Sequence, residues 1–174
     1  DPEKDIDGLH FCNAGKLLNG EPAVIACTPR AVIRILDETG IDIMSKHTVV
    51  VGKSVLVGRP IAICLLNRNA TVSVCHTKTQ NLGDITKNAD ILIVAAGSAG
   101  LIKADMVKDG AVVIDIGQTN IDGKLYGDVD FENVKETAGF ITPVPGGVGP
   151  MTITMLLENT LIAAENSFQK KENQ

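Results

Sequence analysis

Five short runs of apolar, mostly β-branched residues recur along the chain and predict five β-strands at residues 47–51, 71–74, 91–94, 111–114 and 140–141. The runs are apolar on both faces, which is typical of strands in a parallel sheet that helices cover on both sides. A spacing of roughly 20 residues leaves room for one crossover helix between successive strands. The pattern therefore predicts an α/β fold with a doubly wound parallel sheet.

Two amphipathic helices are expected beside this sheet. The first is predicted to start with Thr28 as its N-cap and Pro29 at the first helical position, and to stop at Gly40. The second is predicted over residues 150–164 and places four apolar side chains on one face. These are Ile153, Leu156, Leu157 and Leu161.

Composition and charge narrow the class of protein. A length of 174 residues with 44% hydrophobic residues suits a globular domain with a real core. The net charge of −5 gives no electrostatic reason to expect a nucleic-acid partner. No apolar run reaches the roughly 18 residues of a membrane span, and no secretory signal is recognisable. We therefore expect a cytoplasmic protein that has neither nucleic acid nor a membrane as a partner.

The four cysteines favour reduced thiols over a metal site or a disulfide framework. They stand at Cys12, Cys27, Cys64 and Cys75, and none forms a Cys-x-x-Cys pair. The three histidines do not complete a zinc spacing with them. The sequence therefore predicts no metal site.

A glycine turn follows the first predicted strand. Gly52-Lys53-Ser54 resembles the end of a P-loop, but that motif requires glycine where His47 stands, which excludes it. A Gly-x-Gly-x-x-Gly dinucleotide motif fits in part, with Gly52, Ser54 and Val57 in its three places. Gly52 permits a tight turn, and backbone amides at the following helix start can face an anion. We therefore expect a dinucleotide pyrophosphate beside residues 54–57 of a Rossmann-like sheet.

The end of the second predicted strand favours NADP over NAD. NAD-selective folds usually place a carboxylate there to bind the adenine ribose. This chain instead has His76, Thr77 and Lys78, and Lys53 approaches from the first loop. Such cationic and hydroxyl donors suit a 2′-phosphate, although Lys78 and His76 could also be ordinary solvated side chains.

Four segments together resemble the bifunctional methylenetetrahydrofolate dehydrogenase/cyclohydrolase family. They are Pro-Glu-Lys-Asp-Ile-Asp-Gly at residues 2–8, Ala-Cys-Thr-Pro at 26–29, the glycine turn at 52–60 and Ile-Thr-Pro-Val-Pro-Gly-Gly-Val-Gly-Pro-Met-Thr at 141–152. Their order and spacing are similar to the family's from about residue 2 to residue 164. The resemblance implies NADP as cofactor, a folate substrate and a homodimer formed through the cofactor domain.

The resemblance also implies roles for individual residues. Asp7 matches the aspartate that binds the pterin ring, and the wall between folate and nicotinamide matches Pro145, Gly146, Gly147 and Val148. The NADP-contacting positions match Thr28, Gly52, Lys53, Ser54, Val57, Thr77, Gly97, Gln118 and Thr152. Two departures stand among them: the family usually has Arg at the position of Lys53, and it typically has Gly-Ile-Asn where this chain has Gly117-Gln118-Thr119-Asn120.

The family's cyclohydrolase chemistry uses a Tyr-x-x-x-Lys pair, which this chain lacks. Its single tyrosine, Tyr126, is followed four positions later by Asp130, so no catalytic residue is expected here. More than a hundred residues of the family's usual length are expected to precede Asp1. By this resemblance, residues 1–27 are a remnant of the folate domain, 28–150 are the NADP-binding domain, and 151–174 are a helix that returns to the catalytic domain.

The implied activity is NADP-dependent oxidation of 5,10-methylenetetrahydrofolate to methenyltetrahydrofolate by hydride transfer. In the whole enzyme this step is coupled to hydrolysis to 10-formyltetrahydrofolate. Two alternatives stay open: another dehydrogenase of the same fold, such as an amino-acid dehydrogenase, and a non-catalytic NADP-binding module. The Asp7 segment and the Pro-Gly loop argue against the other dehydrogenase.

Overall fold

A parallel sheet of five strands forms the centre of the fold. A computed structural model describes residues 1–172, with side chains described as far as residue 169. The sheet has the strand order β2-β1-β3-β4-β7, and a two-stranded hairpin, β5-β6, is appended to it. The strands are β1 (His47–Val51), β2 (Thr71–Cys75), β3 (Ile91–Val94), β4 (Val112–Asp115), β5 (Thr119–Ile121), β6 (Lys124–Tyr126) and β7 (Phe140–Ile141). The predicted doubly wound parallel sheet is confirmed, with β2 and β4 each ending one residue later than expected.

The strand order reverses at β1, which gives the sheet its two covered faces. The chain passes from β1 outward to β2 and then returns to pair β3 on the other side of β1. Right-handed crossovers in opposite directions place the connecting segments on opposite faces of the sheet. Alternate strand residues accordingly enter two separate cores, so that Val50 and Ile93 lie in one, whereas Val51 and Leu92 lie in the other.

Six α-helices and a 3-10 helix cover the sheet within residues 1–172. They are α1 (Phe11–Leu18), α2 (Cys27–Glu38), α3 (Gly58–Leu66), α4 (Leu82–Thr86), α5 (Phe131–Val134), α6 (Val148–Glu172) and the 3-10 helix Ala104–Met106. The expectation of one crossover helix between successive strands is wrong between β3 and β4, where only the 3-10 helix forms. Gly97 and Gly100 begin that connection at positive φ angles of 66° and 62°, which an α-helix does not accommodate.

Helix α2 begins two residues earlier than predicted. Its N-cap is Ala26, which makes no side-chain cap hydrogen bond, so the expectation that Thr28 caps the helix is wrong. The Thr28 hydroxyl instead accepts a hydrogen bond from Thr152 of α6 at 3.4 Å. Pro29 falls at the third helical position, where its missing N–H still lies among the four amides that lack an intrahelical partner. The predicted stop at Gly40 is correct, because this residue has a φ of 69°.

Helix α6 is longer than predicted at both ends. It starts at Val148 rather than at residue 150 and continues to Glu172 rather than to residue 164; residues 173 and 174 of the predicted C-terminal helix segment lie outside the described residues. The longer helix is consistent with the Glu, Gln and Lys residues of its last turns, which have high helix propensity. Its predicted apolar face is divided: Leu156 packs against the core, whereas Ile153, Leu157 and Leu161 are 63%, 67% and 58% exposed.

Candidate dinucleotide-binding site

A cleft of about 600 Å³ lies at the carboxyl edge of the sheet, beside the residues that follow β4. The Pro-Gly loop before α6 forms its opposite wall. Eight of the residues singled out from the sequence line it: Thr28, Val57, Gln118, Pro145, Gly146, Gly147, Val148 and Thr152. Ligands of open α/β sheets bind at this edge, near the point where the strand order reverses.

A second cavity of about 660 Å³ lies away from this edge, against Asn13, Lys16, Arg30 and the second half of α6. Although it is slightly larger, it touches none of the strand ends. We therefore place the candidate site in the smaller cleft.

The remaining predicted cofactor residues lie on loops at the same edge of the sheet. Gly52, Lys53 and Ser54 follow β1, Thr77 follows β2, and Gly97 follows β3. The parallel register pairs Val51 with both Cys75 and Val94, so the three strands end side by side. Lys53 and Thr77 each stand two residues beyond the paired strand ends, which places these two loops next to each other.

Two glycines allow the start of α3 to approach the end of β1. Gly52 has a φ of 132°, and a Cβ atom there would lie 2.3 Å from the carbonyl oxygen of Ala95. A Cβ atom at Gly58 would lie 2.0 Å from the carbonyl oxygen of Gly52. The close-packing position of the dinucleotide motif is therefore Gly58 and not Val57, one residue later than the sequence pattern suggested.

The loop after β1 presents several backbone N–H groups to solvent. Ser54 Oγ accepts hydrogen bonds from the N–H groups of Val57 and Gly58 at 3.2 and 3.4 Å, and the Ser54 carbonyl accepts from Arg59 at 3.0 Å. Within residues 1–172, the N–H groups of residues 53–56 donate to no protein group. An anion approaching this loop therefore meets the amides of residues 53–56 before those of the first turn of α3, with the hydroxyl hydrogen of Ser54 beside them.

The loop after β2 is a tight turn without a carboxylate. The N–H of His76 donates to Thr79 Oγ1 at 2.9 Å, and the N–H of Lys78 donates to His76 Nδ1 at 3.1 Å. These bonds leave Thr77 and Lys78 exposed at the tip of the turn. The loop can therefore offer a hydroxyl and an ammonium group to an anionic ligand.

Asp115, which lines the cleft, and Asp128, which lies behind it, were not identified from the sequence. Asp115 ends β4, lines the cleft and is only 3% exposed. Its carboxylate accepts hydrogen bonds from the N–H groups of Gly117, Asp128 and Val129 at 2.9–3.0 Å. Burial raises the pKa of Asp115 to about 6, because desolvation and the nearby Asp128 charge outweigh these three hydrogen bonds.

Asp128 is fully buried and holds the loop that follows β3. Its carboxylate accepts from three consecutive N–H groups, those of Ala96, Gly97 and Ser98, at 2.6, 2.8 and 2.7 Å. The Gly97 amide is therefore already occupied, and only its other atoms remain free for a ligand. A signal for Asp115 existed in the sequence, since it is a carboxylate directly after an apolar parallel strand.

Asp7 lies outside this cleft, at the contact between α2 and α6. Its exposed carboxylate is 3.8 Å from the Cys27 sulfur, and burial together with the Asp7 charge raises the pKa of that thiol. Asn159 of α6 fixes the neighbouring backbone by donating to the carbonyls of Ile6 and Ile25 at 2.8 and 3.0 Å. Asn159 stands seven residues after Thr152, so Asp7 lies roughly 10 Å along α6 from the cleft.

The described part of the chain contains neither a cluster of metal-ligating side chains nor a membrane-spanning helix. Residues 1–172 contain no group of three or more His, Cys, Asp or Glu side chains placed to hold a metal ion. The same residues contain no helix with the length and apolar character that crossing a membrane requires.

Known proteins are similar to this chain in sequence and in fold. The model of the family described as tetrahydrofolate dehydrogenase/cyclohydrolase, NAD(P)-binding domain, matches residues 26–168. The bifunctional protein FolD of Exiguobacterium sibiricum is 57% identical over 164 residues, which are 94% of this chain and 59% of that protein. The chain thus spans about three fifths of the length of the curated relatives that it matches.

Solved structures agree with this assignment. The bifunctional FolD enzyme of Campylobacter jejuni is 50% identical with a TM-score of 0.94, over 96% of this chain and 60% of that one. The methylenetetrahydrofolate dehydrogenase-cyclohydrolase of Trypanosoma brucei, solved with NADP and an inhibitor, is 42% identical with a TM-score of 0.92, over 97% and 60%. The chain therefore belongs to the tetrahydrofolate dehydrogenase/cyclohydrolase family and contains that family's NAD(P)-binding domain.

Proposed function

We propose that this chain binds NADP at the carboxyl edge of its sheet and forms the cofactor-binding part of a methylenetetrahydrofolate dehydrogenase. The observation that carries the proposal is the cleft itself. It brings the Pro-Gly loop of residues 143–150 against Val57, directly before α3, and against the end of β4, and Thr28 and Thr152 line it from α2 and α6. Backbone and short side chains that surround an open cleft suit a flat, extended ligand such as a dinucleotide.

The loops beside the cleft fit a dinucleotide phosphate. The tight approach of Gly52 and Gly58 leaves no room for side chains, and the exposed amides of residues 53–56 can receive a pyrophosphate. Lys53 and Thr77 lie on adjacent loops, and the turn after β2 has no carboxylate that would repel a 2′-phosphate. The NADP bound to the Trypanosoma brucei relative supports the same choice of cofactor.

The chain's contribution to oxidation is positioning. When bound, NADP supplies the acceptor for the hydride that leaves the methylene bridge of the folate. Gly146 and Gly147, which line the cleft, allow the backbone to come close to both ligands. We assign Asp7 to the pterin ring, because its carboxylate is exposed while Asn159 fixes the backbone beside it. Hydride transfer depends mainly on this alignment and needs no general base.

Hydrolysis to 10-formyltetrahydrofolate is proposed only for a protein that also contains the remainder of the relatives' length. That step requires an activated water, and the sequence of this chain offers no Tyr-x-x-x-Lys pair to supply it. We therefore assign no residue of this chain to hydrolysis.

A cytoplasmic homodimer is part of the proposal. The outer strand β2 exposes Val74 at 42%, and the β5-β6 hairpin exposes Ile121 and Tyr126 at 45% and 40%. Apolar side chains on an unpaired edge strand and on a hairpin support self-association through the cofactor domain. Sedimentation equilibrium of the chain and of Val74→Lys tests the dimer, which the substitution should weaken.

Calorimetric titration with NADP and with NAD tests the cofactor assignment. We expect NADP to bind more tightly, and the absence of binding by either would contradict the proposal. Addition of 5,10-methylenetetrahydrofolate, with NADPH formation followed by absorbance, then separates a dehydrogenase from a non-catalytic binding module. The same assay with an amino acid in place of the folate tests the alternative dehydrogenase.

A further inference from the structure

Two buried carboxylates beside the candidate site are held by backbone N–H groups. Asp115 and Asp128 are 3% and 0% exposed. Together they accept six hydrogen bonds of 2.6–3.0 Å from the N–H groups of Ala96, Gly97, Ser98, Gly117, Asp128 and Val129. No ion pair in the described part of the chain involves either aspartate. Burying charge in this way is costly, so a role beyond filling the core is expected.

The two aspartates are linked by a hydrogen bond. The N–H of Asp128 donates to the Asp115 carboxylate at 3.0 Å, while the Asp128 carboxylate holds the loop after β3. Only glycine fits at the two positions where the backbone lies directly against these carboxylates. A Cβ atom at Gly117 would lie 2.4 Å from Asp128 Oδ1, and one at Gly127 would lie 2.0 Å from Asp115 Oδ2.

The segments after β4 and β7 that this network joins line the cleft, and the loop after β3 lies at the same edge of the sheet. Asp128 holds the amide of Gly97, and Asp115 holds the amide of Gly117, directly before Gln118. The N–H of Asp115 donates to the hydroxyl of Thr142 at 2.9 Å, where the Pro-Gly loop begins. The Asp128 and Asp115 carboxylates thus hold the loops after β3 and β4, whereas the backbone N–H of Asp115 and the Thr142 hydroxyl tie the end of β4 to the loop after β7. Neither aspartate was among the predicted cofactor contacts.

We propose that Asp115 and Asp128 are positioning residues of the cofactor site, which fix the backbone at Gly97 and Gln118 for dinucleotide binding. The proposal rests on the proposed function, because it presupposes that NADP occupies this cleft. The carboxylates act through the loops that they hold and need not touch the cofactor.

The first test is the NADP dissociation constant of Asp128→Asn. The substitution keeps the size of the side chain but replaces one acceptor oxygen with an NH₂ donor, so at least one loop amide faces a donor. We expect NADP affinity to fall by about tenfold or more, which is the loss typical for a hydrogen bond to a charged group. Asp90→Asn is the matched control, because Asp90 accepts from the His47 amide and pairs with Lys108 at the opposite edge of the sheet.

Titrations are performed at a temperature at which circular dichroism reports that every variant is folded. Hydrogen exchange then reports the amides of residues 96–98, which we expect to exchange faster in Asp128→Asn than in the unsubstituted chain. Faster exchange with unchanged NADP affinity would mean a purely structural role and would overturn the proposal. Failure of the unsubstituted chain to bind NADP would instead refute the proposed function, and the positioning role with it.

Asp115→Asn is the second variant, and its readout is the pH dependence of the NAD dissociation constant. A purely structural role would not produce this dependence. Above pH 6 Asp115 is largely ionised, whereas below pH 6 it gains a proton and resembles the asparagine. The charged group that faces Asp115 is Asp128, and it is present in both proteins. The ratio of the variant's NAD dissociation constant to that of the unsubstituted chain should therefore be largest above pH 6 and approach one below it. NAD is the probe because it lacks the 2′-phosphate, which also titrates near this pH. A ratio that does not change with pH would overturn the role of Asp115.

Discussion

The buried carboxylate of Asp115 makes the stability of this chain depend on pH in an unusual direction. Burial raises its pKa from 3.8 to about 6, so the folded state binds the proton more tightly than the unfolded state does. A carboxyl of this kind contributes its full stability below its unfolded pKa and loses it as the pH rises through the folded value. Most paired surface carboxylates do the opposite, since their folded pKa is lowered.

Asp115→Asn removes this titration, and its effect can be estimated from the shift. A shift from 3.8 to about 6 corresponds to about 3 kcal/mol, at roughly 1.4 kcal/mol per pKa unit. The asparagine loses hydrogen bonds at every pH, so its own cost does not vary with pH. We therefore expect the unsubstituted chain to gain about 3 kcal/mol relative to the variant as the pH falls from above 6 to below 3.8.

Urea unfolding followed by far-ultraviolet circular dichroism measures this difference, because the chain has no tryptophan and one tyrosine. The free energies of unfolding of the two proteins are subtracted at each pH, so the titrations that they share cancel. Asp90→Asn is the control with the opposite sign, since Lys108 and the His47 amide lower the pKa of Asp90. A flat difference curve for Asp115→Asn, or one that follows the direction of Asp90→Asn, would refute the reasoning.

Three further predictions concern individual contacts. Lys53→Ala should weaken NADP binding by about 1–3 kcal/mol and leave NAD unchanged, and equal losses in calorimetric titrations of both would contradict the role of Lys53. Gly58→Ala should reduce the free energy of unfolding by about 1–3 kcal/mol and weaken NADP binding, because its Cβ would meet the Gly52 carbonyl; an unaltered urea midpoint would refute this. Asn159→Leu leaves the half-buried carbonyls of Ile6 and Ile25 without their donor, so urea unfolding should report a loss of about 1–3 kcal/mol, with Thr160→Ala as an exposed control.

The strands were predictable because each is a short apolar run that the fold buries on both sides. Residues 91–94 are all buried, as the continuous pattern Ile-Leu-Ile-Val indicates. The position proposed for the cofactor site follows from the same reasoning, since loops after parallel strands meet at one edge. The β5-β6 hairpin was missed although its turn, Asp122-Gly123, is a strong hairpin signal.

Helix α1 could not be predicted from its hydrophobic pattern. Phe11 and Leu18, its outermost apolar residues, are 92% and 65% exposed, so they do not indicate a buried face. Near its end Leu17 packs against the core, whereas its start is fixed by polar contacts. His10 accepts from the Cys12 amide at 3.1 Å, and Asn13 donates to Asp5 at 2.8 Å. Contacts of this type leave no periodic trace in the sequence.

Gln118 departs from the Gly-Ile-Asn that the family typically has after the fourth strand, and the structure shows why a glutamine is compatible with the proposed cofactor site at this position. The Gln118 side chain is exposed, and the backbone just before it is held by Asp115 through the Gly117 amide at 2.9 Å. Since the geometry of this loop is set by a buried carboxylate, the side chain at position 118 does not determine where the backbone lies. Gly149 contributes to the same tolerance, because a Cβ there would come within 3.0 Å of the glutamine amide nitrogen. The side chain at the rim of the cleft and the path of the backbone beneath it are thus determined separately, the first by local space and the second by the hydrogen bonds of Asp115.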